Sequence, residues 1–575
     1  MYYYKVSKHL LLIIILSIIN YSASLGQNCG CTLTFKTNNP RGINILDGRK
    51  APYNRLRVGG TLCIPAGNYQ ELRFVNFRGS KGRPITIKNC GGKVTTNNGI
   101  TVLRSRYLKI SGAGHFSVKY GIKINRAKGT GLDIKGLSSD VEIENIEVQN
   151  TGFAGIMAKT DPQCNKPKTW RRNFTFYNLK IHDCYIHDTH GEGMYIGYTG
   201  GYEKSNRRCG GRQIFGHLFK SVRIYDNIIV RTGWDGFQLN LAVQDVRVYR
   251  NTVIGYGTQK RAHQNFGWSL GGGTKGRFYS NFIYQLNSFK SRARNPYQLK
   301  GSGIQIISNG DTFFYNNVIV NSERHAIFIH NRLSSRMLNF KEGYYFLNNT
   351  LVGSRLSSIF YNSASTHQKD EKLNWKRIFF NNLVVAPRAT HHKTRTWKGM
   401  SENYIDFNSK SMRDNAKASI QKNILIASAQ QARFASANNL VIDANNYRLT
   451  KGAQGINAGR GNTRSFGFST DFNGVSRGTG GKPDAGAFEY SERNQAKVFI
   501  FANKAGNRVS FKCNFRLSGK GFIKIERIGG QQVHQLFSGY LRAGQRVFNW
   551  NNARRGFYRI NIKIGNYATS KFIMI

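Results

Sequence analysis

The sequence Arg-Ile-Tyr-Asp-Asn-Ile-Ile at residues 223–229 returns as Arg-Val-Tyr-Arg-Asn-Thr-Val at 247–253, Arg-Phe-Tyr-Ser-Asn-Phe-Ile at 277–283 and Phe-Phe-Tyr-Asn-Asn-Val-Ile at 313–319. Related phrases fill residues 141–387 and centre on Asn145, Cys184, Asn227, Asn251, Asn281, Asn317, Asn349 and Asn382. The shortest step, from Asn227 to Asn251, is 24 residues, and the other steps are longer. A constant phrase separated by steps that exceed a minimum length by a variable number of residues is typical of a solenoid. In such a fold, stacked coils bury apolar residues together, and loops of different length account for the extra residues.

A second phrase follows most of these positions and alternates apolar residues with others. It reads Gly193-Met-Tyr-Ile, Gly236-Phe-Gln-Leu, Gly267-Trp-Ser-Leu, Gly303-Ile-Gln-Ile and Ala326-Ile-Phe-Ile. A period of two predicts strands that point one set of side chains inward and the middle residue of each triplet outward. We therefore predict an all-β fold, a right-handed parallel β-helix. In it the recurrent Asn adopts left-handed turn geometry and bonds along the axis as a ladder. A sandwich of unrelated hairpins would not explain the constant internal order of the phrases.

The predicted β-helix occupies residues 27–492, including an N-terminal cap. Leu62-Cys-Ile-Pro-Ala-Gly67 and the following segment 82–92 resemble the opening coils of bacterial β-helix proteins of the pectate-lyase-like superfamily. Residues 470–477 and 482–490 resemble the closing segment of many bacterial β-helix domains. The resemblance implies a polysaccharide-related β-helix fold. It transfers no catalytic residue, because neither the Lys/Arg signature of alginate and chondroitin lyases nor the paired aspartates of polygalacturonases are matched.

Residues 493–575 differ from the repeat and alternate as short strands with Gly turns, which predicts a small C-terminal β-sandwich. The end of the chain, from Gly556-Phe-Tyr through Gly565 to Lys571 and an apolar tail, resembles the sorting domain of type IX secretion cargo. That resemblance implies export across an outer membrane, with removal of the domain and surface anchoring as a further step. The chain departs from the pattern at Phe572, where the family has a second Lys. A carbohydrate-binding sandwich is the alternative.

The start of the chain reads as a secretory signal peptide, residues 1–26. Lys5 and Lys8 precede the apolar run Leu10–Ile19, and small residues before Gln27 suit cleavage. The run is too short to span a membrane, so the mature chain is expected to lack a transmembrane segment and to be secreted or held at the cell surface.

An exported chain can form disulfides, and this one has 8 Cys. Four near the start could tie down the cap: Cys29, Cys31, Cys63 and Cys90. Cys164 and Cys209 could close an insertion, whereas Cys184 and Cys513 are expected to be free thiols. Zinc binding by the first four is disfavoured, because they contain no Cys-x-x-Cys pair.

The charge is extreme, with 85 Lys and Arg against 29 Asp and Glu and a formal net charge of +56. Such an excess favours a polyanionic partner or an adaptation to anionic surroundings. For an exported chain we expect an acidic polysaccharide rather than nucleic acid, and the secretion machinery as a second partner. We expect a monomer.

Candidate site residues precede or follow the strands of the second phrase. We predict catalytic roles for Glu192, Asp235, Tyr195, His190 and Lys300. We predict substrate binding by Trp234, Gln238, Asn240, Gln305, Arg292, Arg294, His325 and His330. Glu192 and Asp235 could act as acid and base or as nucleophile, or they could hold Ca²⁺ against a uronate carboxylate. Because each precedes a corner Gly, the alternative is that they only favour the turn.

The leading functional hypothesis is a lyase that acts on a uronate-containing or sulfated polysaccharide. The main rival is a non-catalytic surface adhesin or glycan-binding solenoid, which needs no catalytic set and explains a diffuse positive charge. A glycoside hydrolase is the third hypothesis. Unsaturated products would indicate a lyase, and reducing ends without unsaturation would indicate a hydrolase.

Overall fold

A computed structural model describes residues 29–202, 205–286, 301–307, 311–331, 343–363, 377–386, 405–407, 420–436, 438–479, 481–491 and 497–575. The predicted signal peptide lies outside these residues, and so does the predicted boundary between the β-helix and the C-terminal domain. In the described part of the chain, no helix is long and apolar enough to cross a membrane.

The chain folds as the predicted right-handed parallel β-helix, with three strands per coil and three long parallel faces. The first sheet carries the strands that precede the Asn corner. They are Leu33–Thr34, Thr61–Tyr69, Ile85–Thr96, Arg106–Ser111, Ser139–Glu144, Thr175–His182, Leu218–Tyr225, Ala242–Tyr249, Gly276–Tyr279, Thr312–Tyr315, Tyr344–Leu347, Arg377–Phe380 and Ile420–Gln421.

The second sheet carries the strands that follow the Asn corner. They are Ile122–Asn125, Ile146–Gln149, Tyr185–Thr189, Ile228–Thr232, Thr252–Ile254, Phe282–Tyr284, Val318–Val320, Thr350–Val352, Leu383–Val385 and Ile424–Ile426. Near the cap, the strands Thr61–Tyr69 and Ile85–Thr96 are long enough to run through the corner and join both sheets.

The third sheet contains the strands of the second phrase and completes each coil. Its strands are Ile43–Asp47, Glu71–Val75, Ile100–Leu103, Leu132–Lys135, Ile156–Ala158, Met194–Ile196, Phe237–Leu239, Trp268–Leu270, Ile304–Ile306, Ile327–Asn331, Ile359–Ser363 and Ile405–Phe407. The apolar residues at both ends of each triplet point inward as predicted, and those from Met194 to Ile329 are at most 1% exposed. Rings also stack inside the first sheet, where Phe278, Phe314 and Phe346 have centroids 4.9 and 5.3 Å apart.

The predicted Asn ladder is present and joins seven coils. Each side-chain amide donates from Nδ2 to Oδ1 of the next Asn, at 2.8–3.0 Å, along Asn227, Asn251, Asn281, Asn317, Asn349, Asn382 and Asn423. Each Oδ1 also accepts the backbone N–H of the preceding Asn, as between Asn251 and Asn281 at 3.0 Å. The row therefore satisfies buried polar groups at one corner of the solenoid.

Two details of the ladder prediction are wrong. The left-handed conformation belongs to the residue before each ladder Asn, such as Asp226 with φ 55° and Ser280 with φ 52°. Asn145 itself has φ 54° and lies one position earlier than Cys184 in the register, so it is outside the ladder. The left-handed residue makes the corner, which leaves the following Asn free to point its amide along the axis.

Three disulfides form as the sequence suggests. Cys29 pairs with Cys90 and Cys31 with Cys63 in the cap. Cys164 pairs with Cys209 and joins two insertions, 159–176 and 198–219, into one structure that we call the basic lobe. The lobe contains the 3-10 turn Pro167–Thr169 and a hairpin formed by Arg208–Cys209 and Arg212–Gln213. Cys184 and Cys513 are buried free thiols.

The C-terminal part contains two antiparallel sheets that fit a small β-domain. Val498–Ala505, Arg508–Phe515 and Gly544–Trp550 form one. The other has the order Val441–Ile442, Tyr567–Met574, Phe557–Ile564, Gly519–Arg527 and Gln532–Leu541. Its first strand belongs to residues 438–479 and 481–491, which follow the last coil and which we call the closing segment. Three further 3-10 turns lie in the described residues, at Tyr53–Arg55, Ala444–Tyr447 and Thr463–Phe466.

Candidate functional site

Glu192 and Asp235 occupy equivalent positions in adjacent coils, at the corner that leads into the third sheet. Met194–Ile196 pairs with Phe237–Leu239 in parallel, and the N–H of Gly193 donates to the backbone oxygen of Asp235 at 3.0 Å. Gly193 is required here, because a Cβ would lie 2.4 Å from the backbone oxygen of Gly236. The tight stacking of the coils therefore brings the two acidic residues onto one column.

Both carboxyl groups are buried, with 0% exposure of each residue. Among the described residues, neither carboxylate oxygen of Glu192 has a hydrogen-bond partner, and Asp235 has one, the N–H of Phe266 at 2.8 Å from Oδ1. Burial raises the pKa of Glu192 to about 7, although the positive charges of Lys159 and Arg261 oppose the shift. Burial raises the pKa of Asp235 well above its ordinary value, and the negative charge of Glu192 adds to this. The pair can therefore hold a proton near neutral pH.

Aromatic and cationic side chains lie near the pair, and the charges of Lys159 and Arg261 both act on Glu192. Phe153 packs edge-on against Trp234 at 5.5 Å, and the Arg261 guanidinium lies 3.7 Å from the Trp234 ring centroid. On the other side, Lys159 Nζ lies 4.4 Å from the Tyr195 ring centroid and 3.1 Å from a carboxylate oxygen of Asp161. The resulting site has two acids at its base and two cations at its rim.

Several predicted site residues lie on this face but are buried. Tyr195, Gln238 and Gln305 belong to the outward row of the third sheet and are 8%, 8% and 4% exposed. The Tyr195 hydroxyl is 2.9 Å from Thr199 Oγ1, and Asn240 is also buried. The outward orientation predicted from the sequence is confirmed, but this row is not freely open to solvent.

Of the remaining predicted residues, Trp234 lies at the site and is half-buried, and His190 is exposed. His325 lies four coils from Glu192 on the same column, roughly 19 Å at the usual strand spacing. The His325 Nδ1 atom is 2.7 Å from Ser357 Oγ. Lys300, Arg292, Arg294 and the side chain of His330 lie outside the described residues.

Sequence reasoning missed Lys159, Arg261 and Phe153 as members of the site. Lys159 follows the strand Ile156–Ala158 in the coil before Glu192, so extending the repeat by one coil would have found it. Arg261 lies in a loop outside the repeat, where one basic residue among many carries no signal. Phe153 carried no signal, because its contact with Trp234 depends on how two corners stack.

The acid pair does not fit Ca²⁺. That ion needs six to eight oxygen ligands, and its carboxylate ligands must be ionised. Here burial favours the protonated acids, and the described neighbours are aromatic rings, glycines and cations. A second acidic group, Glu142 and Glu144 with His182, surrounds the ammonium of Lys109, which lies 2.7 and 2.9 Å from the two carboxylates. That group is an ion-pair network on the first sheet.

The basic lobe lies beside the site and continues from Lys159. Its exposed cations are Lys166, Lys168, Arg172, Arg207, Arg208 and Arg212. Within the described part of the chain none of them forms an ion pair, whereas several cations on or next to the first sheet do, as in Arg223–Asp245 at 2.6 Å and Arg250–Asp226 at 2.6 Å. The disulfide and the hairpin hold the lobe's unpaired charges together on a defined backbone.

No protein-family model matches the chain, and no curated protein matches it. Solved structures similar to it include pectate lyase Pel9A, with 14% identity, a TM-score of 0.42 and coverage of 82% of this chain and 100% of that one. A PL6 family polysaccharide lyase from Pseudopedobacter saltans has 13% identity, a TM-score of 0.32 and coverage of 65% and 88%. The A-module of a mannuronan C-5 epimerase from Azotobacter vinelandii has 12% identity, a TM-score of 0.33 and coverage of 69% and 96%. At this similarity no residue of these proteins is equated with a residue of this chain.

Proposed function

We propose that this protein is a secreted or cell-surface polysaccharide lyase that acts on an acidic polysaccharide. The observation that carries the proposal is the buried acid pair, in which Glu192 has a pKa of about 7 and faces Lys159 and Arg261. A group with a pKa near the working pH is suited to remove or return a proton. The unpaired cations of the basic lobe supply a neighbouring surface for a polyanion.

The chemistry that suits this arrangement is β-elimination. Lys159 and Arg261 would neutralise the carboxylate of a uronate, which makes the neighbouring C5 proton more acidic. Ionised Glu192 would take that proton, the C4–O bond would break, and a C4–C5 double bond would form. Protonated Asp235 would return a proton to the departing oxygen. Because both acids are buried, the side chains around them have to move for the substrate to reach them.

The test follows ultraviolet absorbance of unsaturated product when the mature full chain meets alginate, pectate, hyaluronan, chondroitin sulfate and heparan sulfate. We expect product from one substrate, and a loss of at least about a hundredfold in rate for Glu192→Gln, the magnitude that general acid–base catalysis contributes. Asp245→Asn, an exposed position on the first sheet, is the control and should keep its activity. Full activity of Glu192→Gln would contradict the assigned role.

A second candidate function, a non-catalytic glycan-binding solenoid, is favoured by the complete burial of both carboxyl groups. On that hypothesis the acid pair only shapes the corner, and the lobe makes the contact. Salt-sensitive binding without any product, abolished by Lys166→Ala with Lys168→Ala and Arg172→Ala but unaffected by Glu192→Gln, would support it. Reducing ends without unsaturation would indicate a glycoside hydrolase instead.

Export is part of the proposal. It is supported by the leader-like residues 1–26, by three disulfides and by the resemblance of the C-terminal domain to type IX sorting domains. Expression in a host with and without that secretion system, followed by fractionation, tests the proposal. Surface or medium location in both hosts would contradict the role of the sorting domain.

A further inference from the structure

From the coil of Tyr185 to the coil of Leu383, the outer face of the second sheet is mainly apolar, and other parts of the chain cover it. Tyr185, Phe282, Val318 and Leu383 occupy one outward row and are at most 3% exposed. They belong to one apolar cluster with residues of the closing segment and with Ile528 and Phe572 of the C-terminal domain. The solenoid and the C-terminal domain therefore share a core.

Backbone pairing also crosses between the two parts. Val441 and Ile442 of the closing segment pair antiparallel with Ile573 and Phe572, which adds a β-helix strand to the sheet of the C-terminal domain. The side chain of Asn439 extends this contact, accepting from the N–H of Ala502 at 2.9 Å and donating to the backbone oxygen of Ile500 at 2.6 Å.

Charged groups complete the interface. Lys571 forms a nearly buried ion pair with Asp443, whose pKa is lowered by that lysine against the effect of burial. The Arg559 guanidinium lies 4.6 Å from the ring centroid of Tyr185, and the Tyr185 hydroxyl donates to the backbone oxygen of Ile528 at 3.3 Å. Separation of the two parts would expose the shared apolar cluster to water and break the strand pairing, so it would be costly.

The sequence departs from the type IX pattern at a residue of this interface. Phe572 stands where the family has a second Lys, is 2% exposed, and stacks on Phe557 with ring centroids 5.7 Å apart. A Lys here would place an ammonium in an apolar cluster. The departure therefore creates an apolar contact between the C-terminal domain and the β-helix.

We propose that the outer face of the second sheet is a binding surface for residues 497–575 as a separate polypeptide. After the chain is cut between Ser491 and Lys497, the C-terminal domain remains bound to the β-helix. Proteolytic processing would then convert a covalent attachment into a non-covalent one, and it would not release the β-helix. This inference does not depend on the proposed enzymatic function.

The experiment places a specific protease cleavage sequence between Ser491 and Lys497 of the full chain, cuts it, and applies size-exclusion chromatography without denaturant. We expect both fragments in one peak at low micromolar concentration. Separate elution of two folded fragments would overturn the proposal.

Three variants test the assigned contacts in the cut protein. Phe572→Lys and Lys571→Glu should each weaken the complex about a hundredfold, because each leaves a buried charge without a partner. Lys563→Glu, an exposed position on the neighbouring strand, is the matched control and should leave the complex intact. The double variant Asp443→Lys with Lys571→Glu should restore binding, which a variant that merely unfolds the domain would not do.

Trp550 is the only Trp of residues 497–575 and lies in the core of the C-terminal domain. Its fluorescence in the released C-terminal fragment of each variant reports whether that fragment is folded. Retention of the Phe572→Lys and Lys571→Glu fragments at the strength of the Lys563→Glu control would overturn the assignment of the surface. So would failure of the charge exchange to restore binding while Trp550 reports a folded domain.

Discussion

Removing one amide from the middle of the Asn ladder should destabilise the β-helix by several kilocalories per mole. Asn281 Nδ2 donates to the backbone oxygens of Val248 and Tyr279 at 3.0 and 2.8 Å and to Asn317 Oδ1 at 2.9 Å. Its Oδ1 accepts from both the N–H and the Nδ2 of Asn251 at 3.0 Å. Asn281→Ala removes all five hydrogen bonds at a site that is 0% exposed.

The magnitude depends on which partners are left without a bond. The Asn251 N–H loses its ladder acceptor in a buried corner, at about 1–3 kcal/mol, whereas Asn251 Nδ2 keeps the backbone oxygens of Ile224 and Tyr249. The other four hydrogen bonds involve groups that retain partners. We count two or three of them at about 1 kcal/mol each. We expect a loss of roughly 3–6 kcal/mol in the free energy of unfolding.

The assay is urea unfolding of the full chain, with Asn549→Ala as the control. Asn549 is exposed and accepts one hydrogen bond, from Arg508 at 3.2 Å, so its loss should stay within about 0.5 kcal/mol. If Asn281→Ala is no more destabilising than Asn549→Ala, the ladder does not stabilise the fold as argued. Asn281→Asp, which replaces the donating NH₂ with a second acceptor facing Asn317 Oδ1, should be at least as harmful as the Ala variant.

Three further predictions concern charge and covalent structure. Because the folded-state pKa of Glu192 is raised, its ionisation weakens the fold progressively from pH 4.5 to about 7. In urea unfolding, Glu192→Gln should therefore hardly change the stability at pH 4 and should raise it by about 3 kcal/mol at pH 8. Equal stability of the variant and the parent protein at pH 8 would contradict the raised pKa. Burial lowers the pKa of His182, but hydrogen bonds to Asp183 and Glu142 outweigh that effect and raise the pKa to about 9. An NMR titration should therefore find the imidazole still protonated at pH 8. Its contribution to the stability should be complete below pH 6.5 and lost as the pH rises through 9. The double variant Cys164→Ser with Cys209→Ser should bind a sulfated polysaccharide about tenfold more weakly or worse, because the lobe cations lose their fixed arrangement. The thermal transition of the solenoid should move little. Unchanged binding would show that the disulfide does not organise this surface.

The sequence predicted the solenoid because its signal is repeated many times. A phrase such as Arg-Ile-Tyr-Asp-Asn227 is weak alone, but stacking requires equivalent residues in every coil, so each recurrence supports the same register. The prediction failed where the repeat itself was irregular. Asn145 was aligned by residue type, although Ile143 and Val148 of the flanking strands place it one position before the ladder. At the other end, Asn423 was not recognised, although its interval of 41 residues from Asn382 is shorter than the 43 residues between Cys184 and Asn227.

The candidate site was harder to predict than the fold. Glu192 and Asp235 could be paired from the repeat, since equivalent positions in adjacent coils must lie close together. The burial of these two acids could not be predicted from the repeat, because it depends on how neighbouring corners pack. The nearby side chains of Phe153, Trp234 and Arg261 come from three different corners. Loop residues outside the repeat, such as Lys300 and Arg292, have no register to place them.

The ladder between Asn227 and Asn251 also bears on how such a chain can change length. This coil uses 24 residues, contains no insertion, and makes the same amide contacts at both of its ends as its neighbours do. Duplication or deletion of one such unit would preserve every contact type at the new junction and change the solenoid by one step of about 4.8 Å. A gene encoding this fold can therefore lengthen or shorten the row of coils in equal increments, provided that the closing segment and the C-terminal domain, which pack along the second sheet, shift with it.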